Sequence, residues 1–96
     1  MVLVEHATHR GVAIEIHRQE YAQGGIALQA YSEDGPWAMC TVCMPEITLA
    51  ENEVIIKDYS ENEGILEALV EAGIVSEPTR FVRVGYAIGY VCLLLS

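Results

Sequence analysis

The amino-acid sequence predicts a single α+β domain: an antiparallel or mixed sheet of five to six strands with one amphipathic helix packed on one face, in the order β-β-β-β-α-β-β. Three observations predict it. The 96 residues contain no repeat, low-complexity segment or linker, so one core has to serve the whole chain. Several stretches alternate apolar and polar residues with the period of two that marks a half-buried strand. The stretch after Tyr59 carries apolar residues at helical spacing between a start signal and a stop signal.

Met1 to Arg10 begins apolar and continues through His6, Thr8, His9 and Arg10, which reads as a frayed strand or a tail. From Gly11 to His17 the alternation is clean: Val12, Ile14 and Ile16 face one way, and Ala13, Glu15 and His17 the other. Tyr21 to Gly25 supplies turn chemistry, because paired glycines tolerate positive φ. Ile26 to Tyr31 is a second strand. Ser32-Glu33-Asp34-Gly35-Pro36 is the strongest turn signal in the chain. Trp37 to Met44 is apolar on both faces except at Thr41, so a place near the sheet centre is expected, and Pro45 ends it.

Glu46 to Asn52 connects to a strand over Glu53 to Asp58. Ser60 as N-cap with Glu63 three residues on matches a capping box. Ile65, Leu66, Leu69 and Val70 form the apolar face of the helix that follows, and Gly73 stands where a left-handed residue ends it. Arg80 to Tyr86 and Tyr90 to Leu95 complete a hairpin around Ala87-Ile88-Gly89.

Composition narrows the function. Fourteen acidic against five basic residues give a formal net charge of −9. That argues against direct binding of a phosphate backbone, which needs clustered Lys and Arg, and against an anionic membrane surface. It suits a partner protein with a basic surface, although net charge also keeps a small apolar protein in solution. A hydrophobic fraction of 52% in so short a chain leaves a homodimer or another covered apolar surface open. The chain opens without an apolar leader pattern, and its Phe81–Leu95 run is too short to span a bilayer, so a cytoplasmic protein is expected.

No catalytic, metal-binding or cofactor-binding constellation emerges, and none is expected. Cys40 and Cys43 have CxxC spacing, but on a strand positions i and i+3 point to opposite faces, and no second pair exists. Three cysteines cannot form a complete disulfide framework. His6, His9 and His17 lack a rigid scaffold and a further ligand for a metal. Gly24-Gly25 is followed by neither a helix nor a lysine at phosphate-loop distance.

The remaining candidates cluster between Lys57 and Glu71. Glu63, Glu67 and Glu71 are spaced four apart, so a continuous helix presents them on one face, roughly 6 Å apart along its axis. Like charges at that spacing oppose one another, and no cation on the helix relieves them. Lys57, Tyr59 and Asn62 form the preceding corner, where a half-exposed aromatic can anchor a partner. The candidate partner-binding residues are therefore Lys57, Tyr59, Asn62, Glu63, Glu67 and Glu71. A second reading makes the Lys57–Glu61 corner the pocket of a small enzyme or ligand-binding domain, with Lys57, Tyr59 and Glu61 in acid–base roles. A third is a homo-oligomeric structural module.

The stretch Glu53-Val54-Ile55-Ile56-Lys57-Asp58-Tyr59-Ser60-Glu61-Asn62-Glu63-Gly64 resembles a motif of small bacterial proteins carried on plasmids and other mobile elements. There a strand of E-V-x-I-K type leads through N/D-Y-S-E-N-E-G into a helix. The family brings no established activity. What the resemblance implies is context: an accessory protein of mobile DNA, of the kind that inhibits host restriction or CRISPR systems.

Overall fold

The computed structural model describes residues 4–95; the apolar start at Met1 to Leu3 lies outside them. Strands β1 (Val4–His9), β2 (Val12–Glu20), β3 (Ile26–Ser32) and β4 (Gly35–Met39) form one antiparallel sheet in chain order. After a connection come β5 (Glu53–Lys57), a 3-10 turn at Ser60–Asn62, helix α1 (Ile65–Glu71), β6 (Arg80–Val84) and β7 (Ala87–Leu93). These later strands form a second antiparallel sheet in the order β5-β7-β6. The class and element order are those expected, with β1 added as a full strand. The single sheet of five to six strands is replaced by two sheets of four and three.

The reason lies at Cys40-Thr41-Val42. The strand expected over Trp37–Met44 keeps regular pairing only to Met39. Its continuation then changes partner: Cys40 N–H donates to the Leu28 carbonyl at 2.8 Å, whereas Lys57 N–H donates to the Cys40 carbonyl and Val42 N–H to the Ile55 carbonyl. The segment thus ties the two sheets together as a seam, and this is why it is apolar on both faces. Thr41, its one polar residue, is buried with its hydroxyl oxygen 2.7 Å from the Tyr21 hydroxyl and 3.2 Å from Leu28 N–H. Burial pushes the Tyr21 phenol above its usual pKa.

Both sheets and the helix share one core. Ile14 and Ile16 of β2, Leu28 and Ala30 of β3, Val54 and Ile56 of β5, Ile65 and Leu69 of α1, and Cys92 with Leu94 are packed together. The alternation in β2 is as expected, with Ile14 and Ile16 buried and Glu15 exposed between them. At the helix C-terminus Gly73 has φ +73, Gly73 N–H donates to the Val70 carbonyl and Ile74 N–H to the Leu69 carbonyl. This is the expected left-handed stop, and Ile74 folds back into the core beside Leu69.

The terminal hairpin turns two residues earlier than expected, at Gly85-Tyr86, with Val84 paired to Ala87. Gly89 sits inside β7 instead. A methyl group there would come within 2.6 Å of Ile55 Cγ2 and 2.9 Å of Val84 Cγ2, so the glycine answers to close packing across the sheet and not to a bend.

Candidate functional site

The helix does not start as its local sequence suggests. Ser60 makes no side-chain cap; it has φ +55 and opens the 3-10 turn. Glu63 ends that turn and Gly64 follows at φ +93, a conformation that costs residues with a Cβ about 1–2 kcal/mol. Only at Ile65 does α1 begin. Its exposed amides are capped from a distance by Asp58, whose Oδ1 accepts from Gly64 N–H at 3.1 Å and from Leu66 N–H at 2.9 Å.

Long-range bonds explain the broken start. Asn62 is 1% exposed, and its Nδ2 donates to the Met39 carbonyl at 2.6 Å. The buried His9 ring joins from the other side: Nε2 donates to the Glu63 carbonyl and Trp37 Nε1–H donates to Nδ1, both at 2.8 Å. Trp Nε1–H can only donate and a carbonyl can only accept, which assigns the neutral Nε2–H tautomer to His9. A continuous helix from Ser60 would forgo these bonds.

The six candidate residues consequently divide. Asn62 is an internal strut and not part of the surface, a correction that follows from its burial and its bond to Met39. Lys57 and Tyr59 do converge, with Lys57 Nζ 5.5 Å from the centre of the Tyr59 ring. Lys57 also bonds Glu61 at 3.3 Å, and the Glu61 carboxyl is held below its usual pKa by its own backbone N–H and then by Lys57. Lys57 and Tyr59 line neither the groove along α1, nor the cleft beside the Tyr21–Ile26 turn, nor the concavity between Glu20 and Leu49.

Glu63, Glu67 and Glu71 are brought together, though not on one helix. Glu67 and Glu71 lie a turn apart on α1, and Glu63 reaches the same place from the turn before it. With Asp58 and Glu77 they line an open groove of about 580 Å³ whose apolar residues are Leu66 and Val70. Leu66 and Val70 have the spacing of core residues; they are half-buried, pack on the core from one side and form the floor of the groove on the other. Asp58 is occupied by its capping bonds. Glu63, Glu67, Glu71 and Glu77 have no cation within ion-pair distance among the described residues. Glu77 is not among the candidates read from the sequence; it follows the helix stop and returns to the groove because Gly73 reverses the chain.

A separate cleft of about 210 Å³ lies between the Tyr21–Ile26 turn and the seam, lined by Cys43, Met44, Ile47 and Leu49 among others. The cysteines are free. Cys40 is buried and Cys43 half-buried, both beyond the end of β4. Burial pushes the Cys40 thiol up to about 12 and Cys92 to about 11, far from nucleophilic use. His6 and His9 sit on opposite faces of β1, and no cluster of three or more potential metal ligands occurs among the described residues. No helix among the described residues is long and apolar enough to cross a membrane.

Comparison with known proteins adds no relative: no protein-family model, curated protein or solved structure matches the chain.

Proposed function

We propose that this chain is a small non-enzymatic interaction protein that occupies a basic surface of another protein with its α1 groove. The observation that carries the proposal is the groove itself: four carboxylates with no ion-pair partner among the described residues surround Leu66 and Val70. A basic segment with an apolar side fits both features, since its cations meet the rim and its apolar side chains meet the floor. The internal use of His9 and Asn62, and the deep burial of the Cys40 and Cys92 thiols, further support a non-enzymatic reading. The most concrete form is a cytoplasmic accessory protein of a mobile element that blocks a nucleic-acid-handling enzyme of the restriction or CRISPR type.

Capture from a bacterial lysate tests the proposal. The immobilised protein should retain a basic protein at low salt and release it at about 0.5 M salt, where charges are screened over roughly 4 Å. Substitution of Glu63, Glu67, Glu71 and Glu77 by Gln should abolish capture while leaving the circular dichroism spectrum unchanged. Capture that survives both salt and substitution would overturn it.

A further inference from the structure

Three of the large apolar side chains that stand exposed lie on the β6–β7 hairpin: Phe81 (66%), Ile88 (49%) and Tyr86, which is fully open. Phe81 and Ile88 belong to the face that buries the core elsewhere in this sheet. Phe81 pairs with Tyr90, which packs on that core, and Arg83 with Ile88. The core face therefore runs past the body of the molecule and ends uncovered on β6.

The backbone of β6 is open at the same place. In the order β5-β7-β6 this strand has, among the described residues, a neighbour on one side only. Val84 and Ala87 close the two-residue turn as a hydrogen-bonded pair, so Val84, Val82 and Arg80 direct their N–H and C=O groups to β7. The intervening Phe81 and Arg83 direct theirs to the free edge. An exposed apolar edge strand of this kind is a template for strand addition.

We infer that β6 pairs antiparallel with β6 of a second copy of this chain, about a two-fold axis through Val82. Only Phe81 and Arg83 offer outward hydrogen-bonding groups, so a two-fold pairing can centre on residue 81, 82 or 83. Centring on Arg83 opposes two like charges on one face. Centring on Phe81 pushes Arg83 towards Thr79 and leaves Val84 beyond the partner strand. Centring on Val82 overlaps the whole of β6 and sets each Arg83 opposite the other copy's Phe81, where guanidinium and ring attract. Arg80 does not block the approach, because its guanidinium folds back on Thr48 O and Glu53 Oε1.

Charge favours this surface as the meeting place of two copies. In a chain of net charge −9, Arg80 to Leu95 contains no carboxylate. The pairing satisfies the open edge and lays each Phe81 beside the aliphatic stem of the other copy's Arg83. The interface is isologous, so it closes at the dimer.

Sedimentation velocity and disulfide trapping of the full chain test the pairing. The mass should rise with concentration from 10.6 kDa to twice that and no further. Val82→Cys in a Cys43→Ser background should cross-link to a covalent dimer under mild oxidation, because residues facing across a non-hydrogen-bonded pair lie about 4.5 Å apart at Cα, within disulfide reach. Cys43→Ser alone should not. Arg83→Pro removes an outward N–H without touching the β7 ladder and should leave a folded monomer. A chain that stays monomeric at millimolar concentration, growth beyond the dimer, or a dimer that Val82→Cys does not trap would each overturn the inference.

Discussion

Two neighbouring regions of the molecule treat their polar side chains in opposite ways. At the corner between β5 and α1, the polar groups are engaged internally. Asp58 caps the helix, Lys57 holds Glu61, Asn62 holds Met39, and His9 holds Glu63 and Trp37. One helical turn away, Glu67, Glu71 and Glu77 have no internal cation among the described residues. The contrast separates residues that build the fold from residues available to a partner, and the two classes are interleaved in sequence. Substitutions at the corner should cost stability, and those in the groove should cost binding.

The largest effect is expected at Asn62. Asn62→Ala removes a buried donor and leaves the Met39 carbonyl unmatched, for a loss of about 1–3 kcal/mol in denaturant unfolding. Gly64→Ala should cost about 1–2 kcal/mol through its backbone conformation, since an added methyl meets His9 only at an ordinary 3.6 Å. Asp58→Ala should cost about 1 kcal/mol by uncapping α1, measured in the same way. If any of these instead left stability intact and reduced partner binding, the division between the regions would fail.

The thiols report on the corner directly. Near pH 8 in the native protein a thiol reagent should modify Cys43, whereas Cys40 and Cys92 wait for opening. Asn62→Ala should speed modification of Cys40, which follows Met39 in the chain. Burial of Cys40 also has a pH signature. Its folded pKa lies above the ordinary thiol value, so its contribution to stability is complete below about pH 9 and is lost as pH rises towards about 12. An alkaline unfolding series reads that slope, which Cys40→Ala should reduce.

The smallest effect belongs to Lys57, whose pair with the solvent-exposed Glu61 is screened by solvent. Lys57→Met should let the Glu61 carboxyl titrate closer to its ordinary range, as followed by NMR. The Glu61 pKa is depressed in the folded chain, so the pair's small contribution is present above the ordinary glutamate pKa. It is lost as pH falls through the lower folded value.

What was legible in the sequence follows from the range of the interactions. Gly73 could be read because the helix stop is local: a glycine, a reversed chain, and Ile74 returning to Leu69. The β2 alternation was legible for the same reason. Ser60 and Glu63 matched a local capping pattern, yet tertiary bonds decided otherwise, through Met39, His9 and Trp37 far away in the chain. Leu66 and Val70 show a related limit. Their spacing marks an apolar face, but spacing alone does not distinguish a sealed core from the floor of a groove. The acidic cluster was readable in part, since Glu67 and Glu71 are neighbours by helical geometry, whereas Glu77 joins them only through the fold.

The most direct test of the central claim is a calorimetric titration with a defined helical peptide whose Arg and Leu residues lie on adjacent faces. The wild-type chain should bind it at low salt and lose most of that affinity as salt is raised. The double substitution Glu67→Gln, Glu71→Gln should weaken binding by about tenfold, as expected for two lost charge contacts of somewhat under 1 kcal/mol each, and should leave stability within about 0.5 kcal/mol. Asn62→Ala, assayed at a temperature where it remains folded, should bind like the wild type. Equal affinity for the wild type and the groove variant, or loss confined to Asn62→Ala, would contradict the account.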